Sequence, residues 1–515
     1  MKKMTKLLAM VLAVMFVMAA FAGCGNDSDE KDTDGNEQDN NEARNDVIIA
    51  TANEPPTLHP YDHNATAANY MNALTYDTLY RTNLDTLEPE PSLVTGYELV
   101  SDTEWKFTLR EGVKFHNGET MTAEDVKASM EYAKNDYSAL TNIYTSWWSN
   151  IEVVDAQTFI ITTNDVYAKT LNDLTRIKVF PKSLIDSGND FNQNPVGSGP
   201  YKFVNWTLGD SLSFEAFEEY WGGAPAIKEM TWRIIPEGSS RTIALEAGEI
   251  DFIVEVETND LSRLETTEGI SVVNQTGTNF TFMMINNEVA PFDNQDFRHA
   301  LNCAVDKDSV VEVALNGAGT GIFWQTPSVL SGYSEENLDA YDLELAKQHL
   351  EASGIDPSTV TFSCICSDDT KRRAGEVIQA SLQELGITME LESMDLATYL
   401  SVTAEGDYEA AIGGYTSSDM MSFIEGVFHS KSINGSNLTR TNDPEIDSLY
   451  DLATTQLDAA ERTATLEQCS SALNVRCPQV PLYQTNVVRA YNSDLQGVKV
   501  SASGTMRWQD VSWAE

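Results

Sequence analysis

Hydrophobic and polar residues alternate through EWKFTLREGVKFHNG, residues 104–118. Trp105, Phe107 and Leu109 interleave with Lys106, Thr108 and Arg110, then Val113 and Phe115 with Lys114 and His116. A period of two predicts half-buried strands, and Asn117-Gly118 supplies a turn. The period then lengthens: Val126, Met130 and Ala133 share one helical face behind Thr122 and Asp125, which have the spacing of a capping box. Phe297, Ala300, Leu301, Ala304 and Val305 repeat at helical spacing, and Asp306 caps a second helix through Val310, Val311 and Leu315. LELAKQHLEASGI (343–355) reads as a helix ended by Gly354, and TVTFSCICS (359–367) as a strand. RRAGEVIQASLQELG (372–386) reads as a helix ended by Gly386, and ITMELESMD (387–395) as another strand. A strand, helix, strand unit predicts parallel pairing in a covered sheet. Two helices are expected within 444–475, then strands at Val480–Tyr483 and Val487–Tyr491. The class is α/β, with at least two lobes and no internal repeat; at roughly 150 residues per domain the length allows about three domains.

The N-terminal pattern is different in kind. Lys2, Lys3 and Lys6 precede an uncharged apolar run, Leu7 to Ala22. It falls short of the ~20 residues of a membrane span and has the order of an export signal. Phe21, Ala22, Gly23 and Cys24 resemble the bacterial lipoprotein box, which predicts a signal peptide over 1–23 and lipidation of Cys24; a plain secretory signal is the alternative. Residues 25–46 carry nine Asp or Glu and two Lys or Arg, so 24–46 is expected to be a lipidated cysteine followed by an acidic, disordered tether. Its acids are too irregularly spaced for a calcium loop. The chain's net charge of −46 argues against nucleic acid as a partner. Of the remaining cysteines, Cys303, Cys364, Cys366, Cys469 and Cys477, an odd number cannot all pair within one chain. Cys364 and Cys366 would share one strand face and bond each other poorly, which leaves Cys469 with Cys477 as the favoured pair.

Motifs of catalysis are absent. No phosphate loop is present, and GAGTGI (317–322) has Ile322 where a dinucleotide fingerprint needs glycine, so it reads as a loop. In VGSGP, Gly197 stands directly before Ser198, which breaks the nucleophile-elbow spacing. His59 and His63 have Pro60 between them, which spoils a two-histidine helical metal site, and His116, His299, His349 and His429 are scattered. No metal site, cofactor or enzyme activity is expected.

Several stretches, in shared order over residues 47–490, resemble the oligopeptide- and dipeptide-type extracellular solute-binding proteins of bacterial ABC importers, solute-binding family 5. They are EPPTLHPY (54–61), YDTLYR (76–81), WKFTLREGVKFHNGETMTAEDVKAS (105–129), NPVGSGPYKFVNW (194–206), YWGGAPAIKEMTWRIIPEGSSRTIALEAGEID (220–251), FDNQDFRHALNCAVDKDSVV (292–311) and YDLELAKQHLEASG (341–354). The resemblance implies a type II periplasmic-binding-protein-like fold: two α/β lobes joined by a hinge, with an additional inserted domain. Lobe I maps to 47–80, 195–280 and 485–515, the insertion to 81–194, and lobe II to 281–484. It also implies a monomer, lipid-anchored on the extracytoplasmic face of the cell membrane, that takes no cofactor and hands a peptide or peptide-like solute to the permease subunits of an ABC importer. Family members that bind peptides place an aspartate three residues after a Gly-Trp pair to hold the solute's α-ammonium. Here GGYTSSDMMSF has Tyr415 for the tryptophan and Ser418 at that spacing, with Asp419 one later. Asp419 is the candidate partner of the ammonium, with capping of the next helix as its other reading. By position in the family, Tyr415 and Trp324 are expected to line the pocket. Trp147 and Trp148, in the insertion, are read as pocket residues or else as core, and Asn286 as bonding a peptide backbone or stabilising the hinge. Nickel-chelate, sugar and opine receptors share the implied fold; a surface sensor or scaffold and a secreted hydrolase are readings of another class.

Overall fold

Two long strands, Ile270–Ile285 and Gln479–Asn492, run antiparallel and belong to the middle of an eleven-stranded mixed sheet. The computed structural model describes residues 44–514 except 64, 337 and 338. Cys24, the signal peptide and most of the expected tether lie outside the described residues. The tether's last residues are part of the folded body: Asp46 opens the strand Asp46–Thr51, and both terminal nitrogens of Arg44 bond the Asp251 carboxylate at 2.8 and 2.7 Å. That carboxylate is buried, so its pairing with Arg44 offsets a desolvation cost a disordered segment would not meet.

The long pair changes register between Thr276 and Phe280. On one side of this slip, Asn492 to Asn486 face Ile270 to Thr276, and Phe252–Ile253 pairs Tyr491 and Ala490. That short strand joins Asp46–Thr51 in parallel, and the sheet continues through Glu229–Ile234, Ser211–Ala216 and Tyr201–Thr207. On the other side, Asn279 to Ile285 pair with Ala410–Thr416, followed in parallel by Thr361–Cys366 and Thr388–Ser393. The parallel strand, helix, strand unit read from residues 359–395 is therefore present, with the helix at Asp369–Glu384. A separate four-stranded antiparallel sheet takes the order Val94–Ser101, Glu104–Leu109, Thr158–Thr163, Trp148–Val153.

Apolar periodicity places the cores. Phe297, Leu301, Leu350, Ile378 and Leu382 from three helices pack on Phe362 and Met389, while Trp105, Phe107 and Phe159 pack with Val126 and Met130 beside the four-stranded sheet. The capping box at Thr122 and Asp125 forms, and Gly354 ends its helix at φ 70°, the left-handed conformation glycine adopts without a Cβ penalty.

Three local expectations change. Val113–His116 is not a ladder strand: Lys114 makes an isolated bridge to Thr120, while the backbone N–H and the ring of His116 bond Gly197 and Gly199 carbonyls at 2.8 and 2.9 Å. The two strands expected at 480–483 and 487–491 are one, because Ile270–Ile285 supplies pairing partners along nearly its whole length. GAGTGI is more than a loop, since Gly319–Gly321 pairs Thr485 to Tyr483. A Cβ on Gly319 would meet Leu315 Cδ1 at 2.7 Å and one on Gly321 would meet Asp308 Oδ1 at 2.9 Å, so glycine permits that close approach.

Candidate functional site

The strand Ala410–Thr416 leads through Ser417 and Ser418 into the helix Met420–Val427. Asp419 is the N-cap of that helix: its Oδ1 accepts from the Ser422 N–H at 2.8 Å. Its Oδ2 has no hydrogen-bond partner among the described residues, so the capping role consumes one side of the carboxylate only. Ser418 is exposed at this turn. Tyr415 is half-buried, edge-on to Phe423 at 5.8 Å, and its hydroxyl lies where a side chain at Gly426 would stand, 2.3 Å from the ideal Cβ.

A cation on the segment that follows the four-stranded sheet feels this carboxylate's charge. The Ala168 N–H donates to Thr454 O at 2.9 Å, and the adjacent Lys169 Nζ donates to Ser422 Oγ at 2.9 Å and lies 3.9 Å from Glu425 Oε2. Burial disfavours the charge on Lys169, but the carboxylates of Asp419, Asp173 and Glu425 outweigh it and hold the pKa above the ordinary lysine value. Asp173 is 3 % exposed, and burial pushes its carboxyl up to about 6, against Lys169 and a 2.8 Å hydrogen bond from the Tyr167 hydroxyl. Glu425 accepts from the Tyr450 hydroxyl and pairs Lys431 at 3.2 Å. Lys169, Asp173, Glu425 and Tyr167 were not among the candidates read from sequence. Nothing in their local spacing distinguishes them in a chain with 79 acids; Lys169 and Glu425 are 256 residues apart.

The remaining candidates separate into two groups. Trp324 is half-buried and edge-on to Tyr333 at 5.3 Å, packed against the cluster of Phe280, Met420 and Phe423. Its indole N–H is buried without a partner among the described residues, a donor left over. Asn286, by contrast, spends its amide inside the protein. Its Nδ2 donates to Gly406 O and Tyr408 O, both at 3.0 Å, and Oδ1 accepts from the Glu288 N–H at 3.1 Å, so it straps the end of a long strand to the turn before Ala410. Trp147 and Trp148 are core residues. Trp147 donates to Tyr144 O at 3.0 Å and stacks on Tyr167 at 5.5 Å, and the Lys134 ammonium lies 4.7 Å over the Trp148 ring. Trp147 thus backs the tyrosine that orients Asp173, rather than opening toward solvent.

The other chemistry considered from sequence resolves into structure. Ser198 is buried and donates to Asp77 Oδ2 at 3.2 Å. His63 bonds the Ala65 N–H and Asn72, and His59 bonds the Tyr61 N–H and the Tyr132 hydroxyl. All five described cysteines are free, against the expected Cys469–Cys477 pair: the Cys469 thiol lies 3.9 Å from Ile446 O, whereas that of Cys477 turns toward Arg298 O and Gln479 O.

The family model for bacterial extracellular solute-binding proteins, family 5 (middle), matches residues 88–435, more than half of the chain. The chain belongs to that family. It is 27 % identical over 497 residues to heme-binding protein A of Haemophilus influenzae, covering 90 % of this chain and 91 % of that one. It is 28 % identical over 472 residues to the probable D,D-dipeptide-binding periplasmic protein DdpA of Escherichia coli, covering 88 % and 90 %. Among solved structures, HbpA2 from Haemophilus parasuis superposes with a TM-score of 0.85 at 24 % identity, over 92 % of this chain and all of the other. The fold is the type II periplasmic-binding-protein fold, and the family is one of solute binding, not of catalysis.

Proposed function

We propose that this protein is the extracytoplasmic receptor of an ABC importer and encloses a peptide or peptide-like solute for delivery to the membrane permease. In this reading lobe I (47–80, 195–280 and 485–515) and lobe II (281–484) close on the solute, with 81–194 as an inserted domain. Lipidated Cys24 holds a monomer at the outer membrane surface of the cell, and the acidic segment after it gives the body reach. The observation that carries the proposal is the Asp419 carboxylate. One oxygen is committed to the helix cap and the other is without a hydrogen bond among the described residues, in a half-buried setting that already stabilises the Lys169 ammonium. A solute's α-ammonium has the same charge and donor set as that lysine. Tyr415 and Trp324 offer ring surface, and the Trp324 indole N–H, unpaired among the described residues, offers a donor for a solute carbonyl; Ser418 is exposed at the turn beside Asp419.

Capture needs no bond to change. A solute that touches both lobes gives the closed state contacts the open state lacks, and only that difference shifts the population. A micromolar affinity, about −8 kcal/mol, suffices for capture and still permits handover. Thermal melts with di- to pentapeptides test the class, because a ligand bound only by the folded state raises the Tm. Asp419→Asn is expected to weaken free-amine peptides at least tenfold and their N-acetylated forms little. Equal weakening of both removes the ammonium role, and stabilisation by nickel chelates, sugars or opines alone would replace peptides as the solute class.

A further inference from the structure

Away from Asp419, side chains spread over residues 299–477 converge on one carboxylate. His299 and Cys303 lie one turn apart on the helix Gln295–Ala304, and His349 lies on Leu343–Ser353. Cys477 ends the helix Ala459–Arg476, and Asp339 comes from the loop before Leu343. The ligand atoms of His299, Asp339 and Cys477 all lie within 4.8 Å of one another, and so do those of Cys303, Asp339 and His349. Both cysteines are fully buried, His299 is nearly so, and the two imidazoles stack at 5.1 Å.

The outer contacts orient these groups as ligands. His299 Nε2 lies 2.9 Å from Val475 O, so that nitrogen carries the N–H and Nδ1 faces Asp339. His349 Nδ1 lies 3.2 Å from Asp296 Oδ1, which leaves Nε2 for the cluster. A ring N–H tied to a carbonyl or a carboxylate, with the other nitrogen turned inward, is the outer arrangement of metal-bound histidine. Cys477 also holds a left-handed backbone at φ 45°, a conformation that favours glycine or asparagine at a helix end, so a side chain is kept where a small residue is the easier choice.

We propose that Asp339, flanked by His299 with Cys477 in one three-ligand group and by Cys303 with His349 in another, is the centre of a structural site for one borderline-soft divalent cation of the zinc(II) class. Thiolate and imidazole donors select zinc-like ions over magnesium or calcium, which prefer all-oxygen shells. The ion fastens two helices and a loop to the turn that enters Gln479–Asn492, the strand that spans both halves of the large sheet. The site is independent of solute identity.

The test uses the full chain, reduced and stripped by a chelator, titrated with cobalt(II) alone. One equivalent is expected to develop a thiolate-to-cobalt charge-transfer band, which zinc(II) then abolishes. The double variant Cys303→Ser/Cys477→Ser is expected to lose the band, and His349→Gln, at a half-buried position, to weaken cobalt at least tenfold while remaining folded. Cys469→Ser, remote from the cluster, is expected to leave the titration unchanged. Absence of the band in the unsubstituted protein overturns the proposal, as does cobalt bound without it, which assigns the metal to surface carboxylates, or a band that survives the double substitution.

Discussion

Lys169→Met removes a buried ammonium while keeping most of its apolar stem, and its cost should depend on pH. The lysine donates to Ser422 and faces three carboxylates. Asp419 and Glu425 are partly exposed, so their pairing contributes about 0–1 kcal/mol each. Asp173 is different: it is nearly inaccessible, and its carboxyl stands roughly two pH units above an ordinary aspartate, at about 6. Two units correspond to about 3 kcal/mol between the two protonation states. The folded state therefore binds more protons than the unfolded chain between about pH 4 and 6, and stability falls as pH rises through that window. Lys169 limits this loss, since its charge lowers the Asp173 value. At pH 8, where Asp173 is ionised, the substitution is expected to cost about 3 kcal/mol. At pH 5 Asp173 is largely neutral in either protein, and the cost should fall to about 1 kcal/mol. Lys169 itself stays charged throughout, because its pKa is raised and its contribution is lost only on going above the ordinary lysine range. Urea melts of both proteins at pH 5 and pH 8 measure the difference. Equal costs at the two pH values, or a smaller one at pH 8, would refute the assignment of Asp173 as the group that Lys169 offsets.

Two further outcomes follow from where the other candidates sit. Asn286→Ala strips hydrogen bonds from two carbonyls beneath a residue 2 % exposed, so a loss of about 2–4 kcal/mol in denaturant melts is expected with solute affinity little changed; a large affinity loss at near-normal stability would return Asn286 to the solute. Trp147→Ala, in the core behind Tyr167, should cost about 3–5 kcal/mol by the same measurement, and a cost under 1 kcal/mol would contradict its burial.

The elements themselves were legible because their signals are local. Alternation marked Glu104–Leu109, capping residues marked the starts after Thr122 and Asp306, and Gly354 marked a stop, each set by a few neighbouring residues. Parallel pairing of Thr361–Cys366 with Thr388–Ser393 followed from a helix between two strands. The capping reading of Asp419 was also local, from its place before Met420 in GGYTSSDMMSF, and the structure realises it at one of the two carboxylate oxygens.

Long-range juxtaposition was decided by the tertiary structure alone. Lys169 meets Glu425, and His299 meets Cys477, across separations at which the chain pattern carries no periodic signal. The same distance explains the residues whose two readings stayed open in the sequence. Asn286 reads equally as a solute-bonding or a hinge amide until the turn at Gly406 closes over it, and the tryptophans at 147 and 148 read as pocket or core until Tyr167 and Lys134 pack on them. Local sequence sets what a segment becomes; which charges and lone pairs share a small volume depends on how sheets and helices are stacked, and that is a property of the whole chain.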